Sequence, residues 1–126
     1  MSEHPNATRV RAMIDALNAG DNQAMADALA DDVVWHEIGN PMPVRGKAAL
    51  AARYMGDTPP DYQITGETHD VLASDDHTVA LVSATATRNG RTFSYRVAEI
   101  YHMRDGKVAE RWAFSDDTQA ITDFFA

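Results

Sequence analysis

Two carboxylates stand inside apolar runs, where carboxylates are uncommon without a partner: Glu37 in "VVWHEIG" and Glu99 in "RVAEIYHM". Side chains alternate along a strand, so Glu37 shares a face with Trp35, while His36 and Ile38 take the other. An inward Glu37 would sit in surroundings that raise its pKa and suit it to moving protons. Glu99 falls on one face with Val97, Tyr101 and Met103. A carboxyl there either meets a cation or stays protonated, and a protonated acid donates a hydrogen bond to a developing oxyanion. His36 lies across the strand from Glu37, so the adjacent pair is no dyad; it is expected at a surface or an interface. His69 and Asp70 in "ETHDVLA" are further candidates, one of which should face inward. The five histidines show no ligand spacing, and "HE" is not followed by a second histidine at helical spacing, so no metal is expected. With no cysteine in the chain, thiolate catalysis, disulfides and zinc–sulfur sites are excluded.

The elements that must position these residues change character along the chain. Val10, Met13, Ile14 and Leu17 fall on one face of a helix starting near Asn6, the expected N-cap, and stopping at Gly20. A second helix is expected over about 22–31, with Met25 and Leu29 on one face, followed by the strand "DVVWHEIG". Residues 41–45 read as a loop, "GKAALAARYMG" as a third helix and "DTPPD" as a break. From there "THDVLA", "TVALVSATAT", "RTFSYRVAEIYHM" and "KVAERWAF" form an antiparallel meander with Asn89-Gly90 and Asp105-Gly106 as hairpin turns. The tail "DDTQAITDFFA" adds a helical turn through Ile121, Phe124 and Phe125. The order implies an α+β fold, a sheet folded over helices with an internal pocket.

The last hairpin decides what Glu99 meets. A two-residue Asp105-Gly106 turn pairs Arg104 with Lys107 and sets Glu99 opposite Trp112. A three-residue loop with a glycine bulge pairs Met103 with Lys107 and sets Glu99 opposite Arg111, with Arg111 and Ala113 inward and Trp112 and Phe114 on the outer face.

Composition bounds the partners. A chain of 126 residues, 44% apolar, supports one domain with one core. A net charge of −8 argues against nucleic acid. No run is long and apolar enough for a membrane span or a signal peptide, and the cytoplasm is the expected compartment.

Several stretches together, "NAGDNQAMADALADDVVWHEIG…VRGKAAL" and "YHMRDGKVAERWAF", resemble the nuclear transport factor 2-like superfamily, in its SnoaL-like and ketosteroid-isomerase-like branch. The resemblance spans nearly the whole chain. It implies a cone-shaped α+β domain with a curved sheet over three N-terminal helices, acting without a cofactor on a small apolar or cyclic molecule. It also implies a homodimer through the open sheet face. It places Glu37 as general base, Glu99 as the second acid and Tyr54 as its support on helix three. Trp35, Met13, Tyr101, Arg111 and His69 would line the substrate pocket. The family's helix-one tyrosine falls at Met13, against the steroid-isomerase reaction itself, and the cyclases' last-strand aspartate falls at Ala113, against that cyclase chemistry. Isomerisation, dehydration, aldol-type cyclisation and epoxide opening all need a carboxylate base in a dry pocket with an acid opposite. A carboxylate–arginine–carboxylate network of Glu37, Arg111 and Glu99 would serve the last of these. The resemblance also favours the three-residue loop in the final hairpin. A non-catalytic binding or dimerising module is the alternative.

Overall fold

The computed structural model describes residues 3–56 and 60–126, so the expected break at "DTPPD" lies partly outside it. Helix α1 (Pro5–Ala19) opens with proline in its first turn and closes on Gly20, whose φ of 73° needs no Cβ penalty. Its N-cap is His4, not Asn6: the His4 ring accepts the Asn6 N–H at 3.1 Å. Asn6 is instead buried, and its side-chain amide donates to the carbonyls of Ser74 and Asp75, each at 3.2 Å. Val10, Met13 and Ile14 are buried as their spacing predicts, but Leu17 is exposed. In that last turn Asn18 is tied to both backbone groups of Gly66, which turns Leu17 outward.

Helix α2 (Asn22–Asp27) is shorter than expected. Leu29 belongs not to it but to β1 (Leu29–Trp35), where it pairs with Val108 across a parallel ladder. The Val108 N–H donates to the Ala28 carbonyl at 2.9 Å, so tertiary pairing takes the backbone that another helical turn would have used. The expected loop contains a two-residue strand, β2 (Val44–Arg45), beside Val34 and Trp35. Helix α3 (Lys47–Met55) follows. The meander is β3 (Tyr62–Ala73), β4 (His77–Arg88), β5 (Arg91–Arg104) and β6 (Lys107–Ser115), and α4 (Thr118–Phe125) ends the chain. Six strands form one curved sheet in the order β2-β1-β6-β5-β4-β3. The core lies between its inner face and α1 and α3, and includes Val10, Met13, Val33, Trp35, Leu50, Val82, Val97 and Tyr101.

Both hairpin turns form as read. Asn89 and Asp105 have φ of 53°, with Gly90 and Gly106 at 76°, the signature of two-residue turns. The final register matches neither expectation. Arg104 pairs with Lys107 and Met103 with Val108, as a two-residue turn requires, but His102 then pairs with Glu110, leaving Ala109 as a β-bulge. Glu99 therefore lies opposite Ala113, not opposite Trp112 or Arg111. The bulge restores the facing that the three-residue loop would have produced: Arg111 is inward and Trp112 and Phe114 are outward.

Candidate functional site

β1 ends at Trp35, yet its alternation carries on through the next two residues. The His36 N–H donates to the Arg111 carbonyl at 3.0 Å, and the Arg111 guanidinium donates through Nη1 to the His36 carbonyl at 2.8 Å. Both backbone groups of His36 are thus held by one residue, and the chain direction at Glu37 is fixed by it. His36 turns outward, where Nε2 meets Glu110 Oε2 at 2.7 Å and the ring stacks on Trp112 with centroids 5.8 Å apart. It is a structural residue of the outer face.

Glu37 turns the other way, with its side chain 13% exposed. Its Oε2 accepts from Arg53 Nε at 2.8 Å and from the Tyr54 hydroxyl. Among the described residues its Oε1 takes only a long bond of 3.4 Å from Asn40. The expected rise in pKa does not occur. Burial pushes the carboxyl up, but the hydrogen bonds from Arg53 and Tyr54 and the Arg53 charge outweigh it and leave Glu37 below its ordinary value. Burial, and then the hydrogen bond to Glu37, drive the Tyr54 phenol well above its usual range, so it remains a hydrogen-bond donor. Gly39, with φ of 81°, brings this loop so close to α4 that a Cβ there would sit 2.6 Å from the Thr122 hydroxyl.

A second cluster centres on Glu99. Its Oε2 accepts from the Tyr101 hydroxyl at 2.6 Å and from Arg111 Nη2 at 3.1 Å. The Arg111 guanidinium also lies over the Trp35 ring, 4.7 Å from its centroid. Its Nε is buried without an acceptor among the described residues. The carboxylate–arginine–carboxylate network does not form as expected: Arg111 holds Glu99, while Glu37 is held by Arg53.

Two tyrosines join the clusters. Tyr62 is shifted up by burial and then by the Glu37 charge. Tyr95 is pushed up to about 12 by burial, with Arg111 opposing and Glu99 adding to the rise. Tyr95 lies two residues from Val97 on the inner face of β5, so extending the alternation backwards from Glu99 would have found it. Tyr62 and Arg53 carried no such signal, because a residue at a strand or helix end reads equally well as solvated.

Three expected pocket residues are buried, and His69 is placed differently. Met13, Trp35 and Tyr101 are packed into the core, at 3%, 8% and 1% exposure. His69 is not inward: it is the extra residue of a bulge between Thr68 and Asp70, on the outer face, hydrogen-bonded to Ser83 at 2.5 Å. Asp70 lies at the sheet edge, 3.8 Å from Arg11. The bulge removes both from strict alternation. Among the described residues no group of three or more metal-type donors is placed to hold an ion, and no helix is long and apolar enough to cross a membrane.

The fold is shared widely. The structure of Bal32a, from a soil-derived mobile gene cassette, is similar at 24% identity with a TM-score of 0.83, covering 97% of each chain. An M. tuberculosis LEH-like epoxide hydrolase is similar at 19% identity with a TM-score of 0.74, covering 89% of this chain and 83% of that one. A computationally designed 17-OHP binder is similar at 19% identity with a TM-score of 0.72, covering 89% and 93%. These identities carry the fold alone. No curated protein matches the chain. Residues 10–111 match the SnoaL-like domain, and the chain belongs to that family, within the nuclear transport factor 2-like superfamily.

Proposed function

We propose that the protein is a cofactor-independent acid–base enzyme for a small apolar or cyclic molecule, with Glu37 as the general base. The observation that carries this reading is the unequal use of the two Glu37 oxygens. Oε2 is taken up by Arg53 and Tyr54, which orient the carboxylate and keep it ionised, while among the described residues Oε1 has only the 3.4 Å contact with Asn40. An ionised carboxylate with one engaged oxygen and one open oxygen is ready to accept a proton at the open one. Its lowered pKa makes it a weaker base, so a substrate with an activated C–H or a strained ring suits it better than an unactivated one. Tyr54, held as a phenol, keeps its O–H on Oε2 and so fixes which oxygen is left for a proton. Arg111 acts as a positioning residue through the His36 backbone. Its Nε supplies a donor for a substrate oxygen able to reach it.

A second reading, that the same site holds a ligand without chemistry, is favoured by the packing of Met13 and by Ala113 standing opposite Glu99. A similar fold belongs to a computationally designed 17-OHP binder, which supports this reading. Exchange of α-protons separates the two. The enzyme reading expects the protein to speed deuterium incorporation into a panel of cyclic ketones in D2O, read by NMR, with Glu37→Gln at least about 100-fold slower, the scale of positioned base catalysis. Binding of panel members with no exchange in either protein supports the binding module.

A further inference from the structure

We propose that His77 and His102 form a two-histidine site for a divalent transition metal, of which zinc is the natural probe, on the outer face of the sheet. The site is on the opposite face from Glu37 and does not depend on the chemistry proposed there.

The two residues are directly opposed Cα partners of β4 and β5. Arg88 and Arg91 close the two-residue Asn89-Gly90 turn as a hydrogen-bonded pair, and the ladder alternates from there without a register shift. Counting back by pairs, Arg88, Ala86, Ala84, Val82, Ala80 and Thr78 are hydrogen-bonded positions, and His77 is the next non-hydrogen-bonded one. Non-hydrogen-bonded pairs bring side chains closer together. The ring centroids of His77 and His102 are 5.1 Å apart. With the metal ~2.1 Å from each ring nitrogen and the ring centre about 1.1 Å further back, two imidazoles at a right to tetrahedral angle have centres roughly 4.5–5.2 Å apart. The observed spacing lies in that range.

The pair is held on both sides. One step towards the chain ends, the Met103 N–H donates to the Asp76 carbonyl at 2.7 Å. One step inward, Thr78 pairs with Tyr101, and both are fully buried. The backbone is thus ordered before a metal arrives, which reduces the ordering cost of binding. Glu110 is the partner of His102 in β6, and its carboxylate, held by His36, adds negative charge beside the site. A chain of net charge −8 also favours cations. Water completes the coordination, because among the described residues no third protein donor is placed for it.

Calorimetric titration of the full-length chain with zinc chloride tests this. The expected result is one zinc per chain, with at least a tenfold loss of affinity in His77→Asn and in His102→Asn. His4→Asn and His69→Asn should titrate like the parent, and circular dichroism should be unchanged in all four, since these side chains are not in the core. Zinc should also raise the melting temperature of the parent but not that of the two affected variants. A parent that shows no zinc binding up to millimolar metal overturns the proposal, as does affinity that survives both single substitutions.

Discussion

Replacing Arg111 by leucine removes the hub of the interior polar cluster. The side chain is 13% exposed, and it holds the Glu99 carboxylate, itself 14% exposed, at 3.1 Å. It also holds the His36 carbonyl at 2.8 Å and lies over Trp35. Breaking a buried pair from one side costs about 3–5 kcal/mol, because the remaining charge is stranded. Glu99 keeps the Tyr101 hydrogen bond, and neither group is wholly buried, so the lower end, ~3 kcal/mol, applies. Against a total of about 5–15 kcal/mol, that is a large fraction of the domain's stability. With a urea dependence of about 1–3 kcal/mol per molar, the midpoint should fall by roughly 1–3 M. A four-member cycle with Glu99→Gln makes the cause visible. In the parent, Glu99→Gln destabilises by weakening a charged pair. In the Arg111→Leu background it should stabilise, because it removes the stranded charge. If Arg111→Leu cost under about 1 kcal/mol, or if Glu99→Gln had the same sign and size in both backgrounds, the pairing described above would not be what holds this cluster.

Other outcomes follow from individual contacts. The Glu37 carboxyl is lowered on folding, so it contributes stability above its unfolded value that is lost as pH falls through the folded one. The advantage of the parent over Glu37→Gln should be complete at neutral pH and shrink below about 4.5, measured by urea denaturation across pH. Asn6→Ala removes the buried donor to Ser74 and Asp75 and should cost about 1–3 kcal/mol in the same assay. A second copy of the chain is proposed on the outer face, where Leu81 and Phe114 are exposed beside Ala98. Sedimentation should then show a dimer at micromolar concentration that Phe114→Glu dissociates, and a monomeric parent would refute it.

Much of the framework was legible because it depends on local rules. Both hairpin turns, the four meander strands and the helix stop at Gly20 follow from residues whose backbone preferences leave few choices. What could not be read depended on partners distant in sequence. Leu29 fits a helix until Val108 is there to pair with it. The bulges at His69 and Ala109 carry no local marker, and each changes what the neighbouring side chains face. At Ala109 the inward facing of Arg111 was anticipated from the resemblance, by way of a turn that does not form. In the site, Tyr54 meets Glu37 and not Glu99, the acid the resemblance had it support. The lowered Glu37 pKa was not legible, because Arg53 sits on an exposed helix surface where an arginine usually signifies nothing.

The central claim is that Glu37 is an ionised, partly open carboxylate that meets the substrate. The most direct test is an NMR titration of the Glu37 carboxyl carbon, alone and with a planar phenol such as 2-naphthol as an enolate mimic. A midpoint below the ordinary 4.5 is expected in the free protein, with a change in the Glu37 resonance when the phenol is added. A midpoint near about 6, as in a carboxyl kept protonated by an apolar pocket, would contradict it, and so would a bound phenol that leaves Glu37 unmoved.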